Sequence, residues 1–167
     1  QPVAPQGQDP YRFNWNTANA SSPNDKTAHY IGAQKLLRTN NRGQSWQEIS
    51  PDLTKHIRQQ GLRVGAGFTA ARSLSQNDGT SAYGNITTIN ESPKARGTIY
   101  VGTDDGNVQM TTDGGAHWTD LTSRFHLAEP RYVSKVLPSR HDPKTAYVAF
   151  DGHWDDDMRP LLFKTSD

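Results

Sequence analysis

The sequence predicts an all-β protein built of β-propeller blades, each a four-stranded antiparallel sheet. Three observations predict it. A short turn motif recurs along the chain, β-rich runs flank each copy at matching offsets, and the composition favours many short elements over one large core. Only 32% of the 167 residues are hydrophobic, while 14 glycines and 10 prolines are spread throughout. An internal repeat in such a chain, here spaced unevenly by insertions, marks a solenoid or a propeller.

The motif runs Thr39-Asn40-Asn41-Arg42-Gly43-Gln44-Ser45-Trp46 and again Thr111-Thr112-Asp113-Gly114-Gly115-Ala116-His117-Trp118. A third copy opens with Thr165-Ser166-Asp167. A β-rich run precedes each copy: Ala28 to Ala33, Thr98 to Thr103 and Ala146 to Phe150, each after a turn cluster (Ser22 to Asp25, Ser92 to Lys94, His141 to Pro143). Strands read from alternation and β-branched enrichment give four per unit. In the second unit these are Asn85 to Glu91, Thr98 to Thr103, Asn107 to Thr112 and His117 to Thr122, with a tight hairpin at Asp105-Gly106.

In chain order, residues 1–10 read as a linker and 11–50 as the first blade, its first strand placed at Arg12 to Ala18. Alternation of Tyr11, Phe13 and Trp15 fits a buried strand edge better than a recognition surface. Residues 51–82 read as an inserted loop. Ser50 would cap a short helix there, with Pro51 at its first position, Leu53 and Ile57 on one face and Gly61 at its end. Residues 83–122 form the second blade, 123–131 a connection, and 132–167 an incomplete blade that ends inside the third motif. A further insertion is expected from Asp151 to Pro160. The total is about two and three-quarter blades, and propellers typically need about 4 to 8 to close. The remaining blades would come from a parent chain or by self-association.

At these residues the sequence resembles the Asp-box, or BNR, repeat family. The box would comprise Thr39, Asn41, Gly43 and Trp46, then Thr111, Asp113, Gly115 and Trp118, then Thr165 and Asp167. Asn41 and His117 depart from the pattern, costing the first box a charge-assisted bond and the second a hydroxyl. Together with Tyr11 to Asn16, Ile49 to Thr54, Val101 to Val108 and Ala146 to Asp151, the boxes look like bacterial sortilin-like proteins, often described as glycosyl hydrolases. The resemblance implies a propeller that is exported, extracytoplasmic or secreted, with an export signal upstream of Gln1. The box itself reads as structural: a short Asx side chain accepts backbone N–H bonds, glycine takes positive φ, and tryptophan buries apolar area.

Candidate chemistry gathers in Asp151-Gly152-His153-Trp154-Asp155-Asp156-Asp157-Met158-Arg159. Asp155, Asp156, Asp157 and His153 are the catalytic candidates, because glycosidases commonly use two carboxylates across a sugar. Trp154 and Arg159 are the ligand-binding candidates. The plainer reading is a solvated acidic loop, and calcium held by Asp155 and Asp157 lacks the EF-hand pattern. Neither metal nor cofactor is expected: the six histidines lack zinc spacing, and Gly65-Ala66-Gly67-Phe68-Thr69-Ala70 lacks the βαβ setting of a dinucleotide fingerprint. The sialidase Arg-Ile-Pro signature is missing. Asn19, Asn85 and Asn90 head glycosylation sequons, which matter only in a eukaryotic secretory setting.

Charge excludes further classes. With 18 Lys and Arg against 17 Asp and Glu and no block of one sign, nucleic acid is not an expected partner. No apolar run is long enough for a membrane span. The two readings left are a non-catalytic propeller scaffold offering a face to a protein, peptide or glycan, and part of a BNR-type glycoside hydrolase.

Overall fold

The computed structural model describes residues 2–14, 16–55, 84–153 and 156–165. Among them the fold is all-β, with no α-helix, and it is that of a partial β-propeller. The first blade holds β1 (Asn19–Ser21), β2 (His29–Gly32), β3 (Leu36–Thr39) and β4 (Gln47–Glu48). The second holds β5 (Ile86–Glu91), β6 (Ile99–Thr103), β7 (Val108–Thr111) and β8 (Thr119–Asp120). The third holds β9 (Tyr132–Pro138), β10 (Ala146–Gly152) and β11 (Asp157–Thr165). Each sheet is antiparallel with neighbours in chain order. A 3-10 turn at Thr122–Phe125 leads from β8 toward the third blade.

Two of the repeated turns have one hydrogen-bond plan. Between β3 and β4, Thr39 Oγ1 accepts from the Gly43 N–H at 3.0 Å and donates to Asn41 Oδ1 at 2.9 Å, which also accepts from the Ser45 N–H at 2.9 Å. Between β7 and β8, Thr111 Oγ1 accepts from the Gly115 N–H at 3.1 Å and donates to Asp113 Oδ1 at 2.7 Å, which accepts from the His117 N–H at 3.0 Å. The departures are absorbed by local pairs. Asn41 Nδ2 donates to Ser45 Oγ at 2.8 Å, and His117 Nδ1 lies 2.6 Å from Asp113 Oδ2. The first-to-second-strand turns repeat as well, with Ser22, Ser92 and Ser139 hydroxyls each accepting two backbone N–H bonds.

The core lies between blades. One cluster joins Tyr30 and Leu36 of the first blade to Ile86, Ile89, Ile99 and Val101 of the second. Another joins Tyr100 and Val108 to Val133, Val136, Val148 and Phe150. Burying such aliphatic side chains contributes about 1.5–3 kcal/mol each. The close approach needs glycine at one place in the second strand. A Cβ on Gly32 would lie 2.6 Å from Ile86, and one on Gly102 would lie 2.3 Å from Val133 Cγ1. Register puts Ala149 at the corresponding place of β10, opposite Leu162 as Gly102 is opposite Val108.

Three sequence expectations are corrected. The first strand is Asn19–Ser21, not Arg12 to Ala18, because Arg12 is drawn into long-range polar bonds: its N–H donates to Gln34 Oε1 at 2.7 Å and its guanidinium to Asp52 and Thr54. No helix starts at Pro51. The Ser50 hydroxyl instead accepts from the Leu36 N–H, and Leu53 N–H donates to the Gln34 carbonyl. The expected Asp151 to Pro160 insertion does lie between the second and third strands of its blade, but it lengthens the hairpin rather than forming an acidic loop alone, since Gly152 pairs with Asp157 and β11 begins there. Ile57, Gly61 and the Gly65 to Ala70 segment lie outside the described residues, as does Trp15.

Candidate functional site

The β6–β7 loop, the entry to β9 and the β10–β11 hairpin meet on one side of the second and third blades. Gly106, at φ +90°, holds them together, because a Cβ there would meet the Arg131 carbonyl oxygen at 2.9 Å. Arg131 in turn runs beside Gly152, whose Cβ would sit 3.3 Å from Arg131 Nε. The hairpin tip turns tightly, with Asp156 in the left-handed region and its N–H donating to the His153 carbonyl at 3.2 Å.

Of the described catalytic and ligand-binding candidates, Asp157 is the most enclosed. Arg159 Nε lies 2.8 Å from its Oδ1 and Arg159 Nη2 lies 2.7 Å from its Oδ2, while Arg131 Nη2 stands 3.5 Å from Oδ2. The Arg159 hydrogen bonds hold the Asp157 carboxyl well below the usual carboxylate range. Such a group accepts bonds but has no proton to give at neutral pH. Arg159 projects outward with its side chain 75% exposed, next to Met158, which is 74% exposed. His153 ring Nδ1 and N–H both bond Asp151. Burial pushes the Asp151 carboxyl up, and the two His153 bonds outweigh it, leaving the group lowered. Trp154, Asp155 and Asp167 lie outside the described residues; Thr165 ends β11, paired with Ala146.

Asp104 and Tyr132 were not among the sequence candidates. Asp104 is buried and accepts from the Gly84 N–H at 3.1 Å, the Asn85 N–H at 2.7 Å and Asn85 Nδ2 at 3.3 Å. Burial nevertheless pushes its carboxyl up to about 6, and the neighbouring charge of Asp105 adds to the rise. Burial also raises the Tyr132 hydroxyl, helped by the charges of Asp104 and Asp151. Tyr132 thus feels two carboxylates, of which Asp104 is raised and Asp151 lowered. The only sequence signal was Asp104-Asp105-Gly106, which reads as a turn.

Among the described residues no group of three or more His, Asp or Glu side chains is placed to hold a metal ion. No helix among them is long and apolar enough to cross a membrane. A separate recess of about 340 Å³ lies between the first two blades, where Glu91 accepts from Tyr30 Oη at 2.9 Å, Asn24 Nδ2 at 3.0 Å and the Gly97 N–H at 3.0 Å.

No protein-family model and no curated protein matches the sequence. Solved structures do. The GH74 xyloglucanase from Xanthomonas campestris superposes with a TM-score of 0.58 at 20% identity, covering 89% of this chain and 20% of that one. An ancestral GH74 enzyme gives a TM-score of 0.48 at 13% identity, over 87% of this chain and 20% of that one. YCF48 bound to a D1 peptide gives 0.41 at 17% identity, over 88% and 36%. The first likeness is one of fold and agrees with a partial β-propeller. The chain spans 20% of the xyloglucanase it matches.

Proposed function

We propose that the chain is part of an Asp-box β-propeller of the sortilin-like kind that acts as a non-catalytic, protein- or peptide-binding scaffold outside the cytoplasm. The observation that carries this reading is the state of Asp157. Its two oxygens are spent on Arg159 and Arg131, so the hairpin forms a braced ridge that presents Arg159 and Met158 outward. Arginine and methionine are enriched at protein interfaces, and a strand-borne ridge loses little entropy on binding. The box residues Thr39, Asn41, Gly43, Trp46, Thr111, Asp113, Gly115 and Trp118 are structural in this reading: the Thr, Asx and Gly bonds close their own turns, and Trp118 reaches across to the Ile49 carbonyl. The export assignment rests on the family resemblance.

A second reading, part of a BNR-type glycoside hydrolase, is favoured by Asp104. A buried carboxyl pushed up to about 6 has the character of a general acid. The two readings part in one assay. The protein is incubated with xyloglucan and other β-glucans while released reducing ends are measured, and Asp104→Asn and Asp157→Asn are run beside it. The scaffold reading expects no turnover above buffer. Hydrolysis that scales with protein and falls at least about a hundredfold in Asp104→Asn would establish the enzyme instead.

A further inference from the structure

The two junctions between blades come from one repeat, yet they are lined differently at the box end of the strands. In the first, Asp25, Tyr30 and Arg38 face Glu91, Arg96 and Asp113 across the recess of about 340 Å³. Tyr30 pairs with Arg38 across β2 and β3, as Tyr100 pairs with Met110 across β6 and β7. The turns Ser22-Pro23-Asn24-Asp25 and Ser92-Pro93-Lys94-Ala95 correspond, and so do the strand ends Glu91-Ser92 and Pro138-Ser139. Arg96 and Pro143 each stand two residues before the threonine that directly precedes the second strand. The second junction therefore has Ala95, Met110, Pro138 and Pro143 where the first has Asp25, Arg38, Glu91 and Arg96. It closes with Met110 packed against a cluster that holds Tyr100, Val136 and Val148. The repeat does not need these charges to hold two blades together.

Hydrogen bonds in the recess leave two kinds of capacity unspent. Glu91 is supplied by Tyr30 Oη, Asn24 Nδ2 and the Gly97 N–H, and Asp113 by the Thr111 hydroxyl and the His117 N–H. On the donor side, Arg38 Nε is buried with no acceptor in reach. Among the described residues no hydrogen-bond or ion-pair partner reaches the Arg96 guanidinium. On the acceptor side, Asp25 Oδ2 takes only two long bonds, from Arg38 Nη2 and Asn40 Nδ2, both at 3.3 Å. A buried donor left unpaired is costly, and a bound acceptor relieves it.

The charges narrow the ligand. Two guanidinium groups and three carboxylates line the recess, so a simple anion meets an excess of negative charge and a simple cation meets both arginines. A molecule with one pole of each sign answers both, and an arginine fork matches a carboxylate in shape. The 3.3 Å between Arg38 Nη2 and Asp25 Oδ2 suits an ammonium and a carboxylate borne on one carbon.

We propose that this recess binds a free α-amino acid. Its carboxylate accepts from Arg38 Nε, with Arg96 closing over it, and its ammonium donates to Asp25 Oδ2. The site lies at the opposite end of the strands from the β6–β7 loop and the β10–β11 hairpin. It does not rest on the scaffold reading, so either can fail alone.

The test is a titration of the whole isotope-labelled chain with L-alanine, followed by two-dimensional NMR of the backbone amides. Gly97 and Gly114, which line the recess, are the reporters, and Gly106 at the other strand ends is the control. The expected result is a saturable shift of both reporters with Gly106 unmoved, and a dissociation constant of roughly 0.1–5 mM. N-acetyl-L-alanine and L-alaninamide each keep one pole, and γ-aminobutyrate holds both poles farther apart. Each should bind at least about tenfold more weakly, comparisons that leave the protein unaltered. Arg38→Met gives the first junction the residue that the second has at Met110, and should abolish the shift in a chain that still folds. No saturable shift at about 50 mM L-alanine overturns the proposal. So does binding of N-acetyl-L-alanine or L-alaninamide as tight as that of L-alanine, and so does unchanged binding by folded Arg38→Met.

Discussion

Gly102 of the second blade lies directly against Val133 of the third: a methyl group added to its Cα would sit 2.3 Å from Val133 Cγ1 and 2.9 Å from Thr88 Cγ2. Gly32 stands in the same relation to Ile86. Gly102→Ala and Gly32→Ala should each destabilise by about 1–3 kcal/mol through overpacking. That corresponds to a fall in Tm of roughly 2–4 °C per kcal/mol for a chain of this size. Ala149→Gly, at the corresponding place of the third blade, should cost no more than about 1 kcal/mol, an effect of strand propensity alone. Thermal unfolding of the three variants side by side checks the contrast.

Asp104 sets an opposite pH dependence from most carboxylates. Its folded carboxyl is raised from 3.8 to about 6, so the folded state binds the proton more tightly than the unfolded one. The stability it allows is fully present below about pH 4 and is lost as pH rises through about 6. Asp104→Asn should remove this slope, and the difference in stability between wild type and variant should drift against wild type by at most about 3 kcal/mol between pH 4 and pH 7. Urea unfolding at half-unit pH steps measures it. A difference that stays flat would mean that the Asp104 carboxyl titrates in its ordinary range.

Glu91 works the other way. Burial raises its carboxyl, but bonds from the Gly97 N–H, Ser22, Asn24 and Tyr30 bring it below its ordinary value. Its contribution is therefore present above about pH 4.5 and lost as pH falls through the lower folded value. Glu91→Gln should cost about 1–3 kcal/mol at pH 7, because the buried donors around it lose a charged acceptor. The same variant should lose less than wild type on acidification to pH 3.

The repeated turns allow an internal exchange. Thr111 is buried, and its hydroxyl takes part in three bonds of the turn, to Asp113 Oδ1 and from the Asp113 and Gly115 N–H groups. Thr111→Val should therefore destabilise by about 1–3 kcal/mol. Asn41→Asp should instead stabilise by about 0.5–1 kcal/mol, since a carboxylate accepts more strongly from the Ser45 N–H and the Thr39 hydroxyl. Chemical denaturation reads both.

The repeat was legible because its signals are local. Thr, Asx, Gly and Trp close a turn within a few residues, and Ile86–Glu91, Ile99–Thr103 and Val108–Thr111 carry the β-branched pattern of the strands. What was not legible depends on distant partners. Arg12 to Ala18 alternates like a strand, yet Arg12 Nε donates to the Gly84 carbonyl at 3.1 Å, and a segment so engaged follows its long-range bonds. Asp104 reads as one more turn carboxylate, and only the fold shows it buried and bonded by the Gly84 and Asn85 N–H groups. The Asp151 to Arg159 candidates were visible as a cluster. Their arrangement was not, because the pairing of Asp157 with Arg131 needs the β9 entry beside the hairpin.

The one-methyl difference at Ala149 has a geometric consequence. Gly32 and Gly102 let the following strand sit almost in contact with the backbone of β2 and β6, which sets a tight wedge between the first and second sheets and between the second and third. A sheet laid over β10 would meet a methyl group where those two meet none, so its facing residue would have to be smaller than Val133 or Ile86 to keep the same spacing.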